Sequence, residues 1–132
     1  MARSPGFVIH EADCELEGSD EAALASVRWR TLLSGDRTPT GSITLGIAEL
    51  EPGGPALSLP HTHSQAEVYY VLSGRGTVFI SGIEHPVRPG TAVFIPGGAE
   101  HGAVNTGDEL LRLLYVFPSD SFADIEYDFP AP

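Results

Sequence analysis

The chain has 132 residues and a mass of 14.0 kDa, which gives room for one domain with one core and none for a second. Its formal charge is −11 with a pI near 4.6, and all seven basic residues are arginine, so no basic face is on offer to nucleic acid. The hydrophobic fraction is 42% and the mean hydropathy +0.01, and no stretch approaches the roughly 18 unbroken apolar residues of a membrane span.

The opening, MARSPGFVIHEADCE, carries one arginine, then a proline and early acids in place of an apolar core with a small-residue cleavage site. A cytoplasmic location is expected. The single cysteine, Cys14, has no partner for a disulfide or a thiolate cage, which agrees with a reducing compartment, and no cation beside it in sequence to activate it. Residues 19–27, SDEAALASV, predict one short peripheral helix with Ser19 or Asp20 as N-cap and Glu21 in the first turn. A domain this small leaves a flat sheet face to cover, and Val27 to Leu33 is the strand expected to be donated across a two-fold homodimer. Arg28, Trp29 and Arg30 then belong either to that interface or to a solvent-facing edge.

Further along, fifteen glycines and eleven prolines cut the chain into short β-favouring pieces: SITLGIAEL, EVYYVL, GTVFI, TAVFI and ELLRLLYVF. Turn sequences lie between them, at SGRG 73–76, SGI 81–83, RPG 88–90, PGG 96–98 and NTGD 105–108. Short strands at this spacing read as an all-β barrel or sandwich. The expected layout is a single domain over 1–132, with a barrel core at about 40–117, an N-terminal arm at 1–39 and a C-terminal segment at 118–132. That last segment holds Phe122, Tyr127 and Phe129 among acids, and aromatics so dense are expected to pack back on the barrel.

Residues 61–70, HTHSQAEVYY, hold the polar residues that need explaining. Side chains two apart on a strand share a face, so His61 goes with His63 and Glu67 with Tyr69. A bend at Ser64, Gln65 and Ala66 would fold the second pair back, bringing the carboxylate to both imidazoles. His101 follows a second tight turn, PGGAEH, and would be the fourth member. Alone, such a histidine pair is common on exposed strands, and a lone glutamate is ordinarily a surface acid. Together and buried they need a compensating charge, since an unpaired charge inside a barrel costs several kcal/mol. Three imidazoles and one carboxylate suit a divalent transition metal: Fe, Mn, Ni, Zn or Cu. His10 and His85 lie outside this set and read as surface residues.

Residues 61–74, HTHSQAEVYYVLSG, resemble the first cupin motif, and residues 90–105, GTAVFIPGGAEHGAVN, the second. The first motif departs at its leading glycine: Pro55 stands there, preceded by Gly53 and Gly54. The resemblance implies a double-stranded β-helix (jelly-roll-like) barrel and the metal ligands His61, His63, Glu67 and His101. With VRW, GIAELEPGG, EVYYV, PGGAEH and YVFPSDSFADIEY in this order, the chain is also similar to small cupin lyases that cleave dimethylsulfoniopropionate to dimethylsulfide and acrylate. That similarity implies β-elimination on a small carboxylate substrate, with Tyr69 taking the α-proton and Tyr127 lining the pocket. The rival readings are an Fe(II) dioxygenase or isomerase of a small oxygenated molecule, and a non-catalytic small-molecule-binding domain.

Overall fold

Strict alternation in residues 67–73 carries the architecture: Glu67, Tyr69 and Val71 turn inward while Val68, Tyr70 and Leu72 turn out. A computed structural model describes residues 6–19, 27–53 and 57–129, with the backbone alone at 57–60. Among these residues ten strands form two antiparallel sheets. In chain order they are β1 (Glu17–Gly18), β2 (Val27–Leu33), β3 (Thr44–Leu50), β4 (Leu57–His61), β5 (Glu67–Ser73), β6 (Gly76–Ile80), β7 (Ile83–Val87), β8 (Ala92–Ile95), β9 (His101–Asn105) and β10 (Leu111–Phe117). The larger sheet runs β1-β2-β3-β10-β5-β8 and the smaller β4-β9-β6-β7.

The two sheets face each other across one core. Leu50, Val71, Leu111, Leu113 and Phe117 project from the larger sheet and Val78 and Ala103 from the smaller, all at most 1% exposed. Fully burying a side chain of this kind contributes about 1.5–3 kcal/mol. The joint between β9 and β10 is fastened by buried Asn105, whose Nδ2 donates to Leu50 O at 2.9 Å and Glu109 O at 2.7 Å while Oδ1 accepts from Gly107 N at 2.9 Å. Pro86 sits in β7, an edge of the smaller sheet, where its missing N–H leaves no ladder bond unmade.

The expected helix is a correction. In the described N-terminal region the helical structure is a 3-10 turn, Glu11–Asp13, with His10 Nδ1 accepting from Ala12 N at 3.0 Å. Residues 20–26, which hold most of the predicted helix, lie outside the described residues. Val27, predicted to end it, instead opens β2, because its β-branched side chain and Trp29 alternate inward opposite Leu50 and Ala48. Within this chain β2 pairs with β3 and with β1.

The C-terminal segment returns over the barrel. Ser121 caps a 3-10 turn, Phe122–Asp124, and Thr62 and Asp128 exchange backbone hydrogen bonds, both 2.8 Å, in an antiparallel bridge. Among the described residues no helix is long and apolar enough to cross a membrane.

Candidate metal centre and cavity

His61 ends β4, His101 begins β9, and the two are directly opposed across the smaller sheet. Glu67 opens β5 in the larger sheet, and His63 lies on the chain between. The 96–98 turn draws these segments together. Gly98, at φ +80°, donates its N–H to His63 O at 2.8 Å, and a methyl group on Gly97 would stand 2.3 Å from Ser64 O. Only glycine permits that approach, so the turn preceding His101 is locked onto the bend that follows His63.

All four side chains are buried, with residue exposures of 1% for His61, 4% for His63, 4% for Glu67 and 1% for His101. One nitrogen from each of the three imidazoles lies within 4.8 Å of the others, a spacing that could hold a metal ion. Glu67 Oε1 is 3.1 Å from His63 Nε2 and 3.3 Å from His101 Nε2. The carboxylate thus meets His63 as the bend predicts, and its second imidazole contact is with the distant His101.

Hydrogen bonding anchors two of the rings. His63 Nδ1 is 2.9 Å from Gln65 O and His101 Nδ1 is 2.9 Å from Ala99 O. A peptide carbonyl only accepts, so each Nδ1 must donate, and in a neutral ring Nε2 is then a bare lone pair. In neutral rings two such lone pairs aim at one carboxylate oxygen; His63 Nε2 lies at hydrogen-bond distance from it, and His101 Nε2 makes no hydrogen bond among the described residues. Converging acceptors repel one another unless something positive stands among them. The donor set therefore fits a divalent cation, and carbonyl-anchored imidazoles are the usual way proteins orient such ligands.

The cluster opens into a cavity of about 480 Å³ lined by His61, Glu67, Tyr69, Tyr127 and a mostly apolar wall. Tyr69 shares the inward face of β5 with Glu67, its ring 6.5 Å from that of His101. Burial, then the charge of Glu67, pushes its phenol well above the usual tyrosine value. Tyr127 stands over the imidazoles, 5.3 Å from His61 and 5.5 Å from His63 between ring centroids, and the same two causes push its phenol well up. The residues expected at the surface lie apart from this site: His10 and His85 are exposed, and Cys14 is a half-buried free thiol.

Three further wall residues escaped the sequence reading. Trp29 and Tyr115 line the cavity from β2 and β10, and Phe122 from the C-terminal turn. Period-2 alternation places Tyr115 in phase with Leu113 and Phe117, but it does not separate a cavity wall from solid core.

A family model described as the cupin domain matches residues 46–117. Dimethylsulfoniopropionate lyase DddW of Ruegeria pomeroyi is 43% identical over 127 residues, covering 96% of this chain and 82% of that one. Glucose-6-phosphate isomerase of Thermococcus onnurineus is 36% identical over 72 residues, 48% of this chain and 38% of its own length. Among solved structures, the polyketide cyclase RemF of Streptomyces resistomycificus superposes with a TM-score of 0.75 at 25% identity, covering 96% of this chain and 87% of its own.

Proposed function

The chain belongs to the cupin family, and from that premise we propose that it is a metal-dependent lyase that eliminates a leaving group from the β-carbon of a small carboxylate. Dimethylsulfoniopropionate is the best specific substrate. The observation that carries the metal is the meeting, in a buried site, of one carboxylate oxygen with two imidazole Nε2 atoms whose rings are each anchored through Nδ1 to a peptide carbonyl. The observation that carries the lyase is the 43% identity to DddW over nearly the whole chain.

His61, His63, Glu67 and His101 would hold the ion. When bound, a divalent transition ion supplies Lewis acidity toward a substrate carboxylate oxygen and lowers the pKa of a nearby phenol. Tyr69 is the base in this reading: it takes the α-proton, the Cα–Cβ double bond forms, and the Cβ–S bond breaks with its electron pair leaving on sulfur. Acrylate and dimethylsulfide are the products, the abstracted proton remaining on the phenol. Burial, then the charge of Glu67, favours the protonated phenol, so proton removal by Tyr69 would depend on the lowered phenol pKa that a bound ion supplies. Tyr127 and Phe129 roof the imidazoles, with rings 5.3 and 5.7 Å from His61, and exclude water from the reacting carbons. A cytoplasmic setting suits the free thiol of Cys14.

The test is acrylate and dimethylsulfide release from dimethylsulfoniopropionate by the purified protein, with its metal content measured alongside. Glu67→Ala is expected to lose both metal and turnover. Oxygen consumption with Fe(II), in place of acrylate release, would transfer the site to the dioxygenase reading.

A further inference from the structure

The smaller sheet ends, away from the imidazoles, in a row of three polar residues. Gly76 on β6 pairs with Val87 on β7 and with Asn105 on β9, so the next position along both ladders sets Arg75 beside Arg88 at one side and Thr106 at the other. Thr106 N donates to Arg75 O at 3.3 Å, which carries the β9 side of the row past the strand end. Antiparallel neighbours in direct opposition point to one face, with Cβ atoms about 5 Å apart. Arg75, Arg88, Thr91 and Thr106 line a cleft of about 390 Å³ over Pro86 and Val87. Along β6 the distance from Gly76 to Ile80, the partner of His101, is about 14 Å, which separates the cleft from the His–Glu cluster.

Like charges in direct opposition across two strands repel. Nothing among the described residues offsets that repulsion, although the chain's 18 acidic residues outnumber its seven basic ones. Arg30 reaches Cys14 O, Arg37 pairs with Glu17 and Arg112 with Glu49, whereas the guanidinium groups of Arg75 and Arg88 make neither a hydrogen bond nor an ion pair among the described residues. Asp108 and Glu109 follow Thr106 in the chain without pairing to either. The two hydroxyls add donors. Thr91 Oγ1 accepts from Arg88 N at 3.1 Å, so its hydrogen is available to point elsewhere, and the Thr106 hydroxyl makes no hydrogen bond among the described residues. Two guanidinium forks and two hydroxyls around one space suit a dianion. Tetrahedral oxygens can meet two forks from different sides, whereas a carboxylate shows one edge to one fork. The net charge of −11 repels an extended polyanion, which confines the partner to a small ion.

We propose that Arg75, Arg88, Thr91 and Thr106 form a binding site for a phosphate dianion, free or as the phosphoryl group of a small metabolite. The site is separate from the metal centre and does not depend on the lyase reading. Bound there, the ion bridges β7, an edge strand whose described partner is β6, to the turn before β8 and to the end of β9. Binding therefore adds to the stability of the folded state.

The purified protein with its metal is titrated calorimetrically, at pH 8 and constant ionic strength, with inorganic phosphate, glycerol 2-phosphate and succinate, and is melted in each. Phosphate is expected to bind at least about tenfold more tightly than succinate and to raise the melting temperature. Arg75→Gln and Arg88→Gln, either of which serves if the other fails to fold, should each weaken phosphate about tenfold and remove the rise in melting temperature. In phosphate-free buffer both variants should melt no lower than the parent, since each relieves the opposed charges. Glycerol 2-phosphate binding at least as tightly as phosphate extends the site to phosphomonoesters, and weaker binding restricts it to the free ion. The site is overturned by no phosphate binding, by succinate binding as tightly, or by phosphate binding undiminished in the variants, as an ion captured by the metal would give. A variant that melts lower without phosphate removes the opposed charges on which the site stands and overturns it too.

Discussion

His63 and His101 each direct one nitrogen to a backbone carbonyl and the other to Glu67, so the centre is oriented before any ligand arrives. Tyr69, two residues from Glu67 on the same face of β5, is placed to act on what binds there without holding it. Tyr69→Phe is therefore expected to keep full metal content while kcat falls about 100-fold or more, the effect of losing a general base. Steady-state kinetics beside metal analysis checks this, and an unchanged kcat would reduce Tyr69 to packing. At this scale the buried polar cluster was legible from spacing: His61, His63, Glu67 and His101 are the polar side chains that interrupt an apolar strand pattern, and all four are buried. Trp29 and Tyr115 were not legible, because an aromatic residue facing a cavity and one facing solid core occupy the same phase of the same alternation.

At the scale of elements, the site depends on a contact between two turns. Gly97 lets the 96–98 turn touch the peptide at Ser64, and Gly98 ties it to His63. Gly97→Ala places a methyl group against backbone, which cannot move aside as a flexible side chain would. Destabilisation of about 1–3 kcal/mol is expected, with a lower metal affinity as His63 and His101 are pushed apart. Thermal melting and a metal titration measure the two effects, and a variant that melts like the parent would show that the approach is not tight. The five strands expected from sequence are all present as β3, β5, β6, β8 and β10. Those not marked among these runs include β7, whose Glu84, His85 and Pro86 are tolerated only because an edge strand has a solvated side, and the two-residue β1, too short for any periodicity. The aromatic C-terminal segment packs back on the barrel as expected, Ile125 reaching 7% exposure. What sequence could not supply was its exact landing place over the imidazoles, which is set by the Thr62–Asp128 bridge.

The whole molecule is held at its N-terminal edge by ion pairs. Arg112 on β10 pairs with Glu49 on β3 at 3.0 Å and also with Glu11, and Glu17 on β1 pairs with Arg37. Burial alone would raise the Glu17 carboxyl, but hydrogen bonds from Arg37 and Thr31 outweigh it and hold the group below its ordinary value. A carboxyl depressed on folding adds stability above its unfolded pKa, and that contribution is lost as pH falls through the folded value. Glu17→Gln should therefore lower the melting temperature at pH 7 and leave it nearly unchanged at pH 3. Equal losses at both would assign the effect to packing. The outer face of the larger sheet carries Val68, Tyr70, Leu72 and Phe94 at 37–65% exposure, adjacent across β5 and β8. We propose that this face is covered in a homodimer, for which light scattering should give twice the 14.0 kDa chain mass and Phe94→Glu the chain mass alone.

The anchors of the two imidazoles have an evolutionary corollary. Because Gln65 and Ala99 hold the rings through peptide oxygens, drift in the identity of either side chain leaves the grip intact. The wall around Trp29 and Tyr115, built only of side chains, has no such insurance. Rewriting the wall would thus change what the cavity accepts while the His–Glu cluster stays fixed beside it.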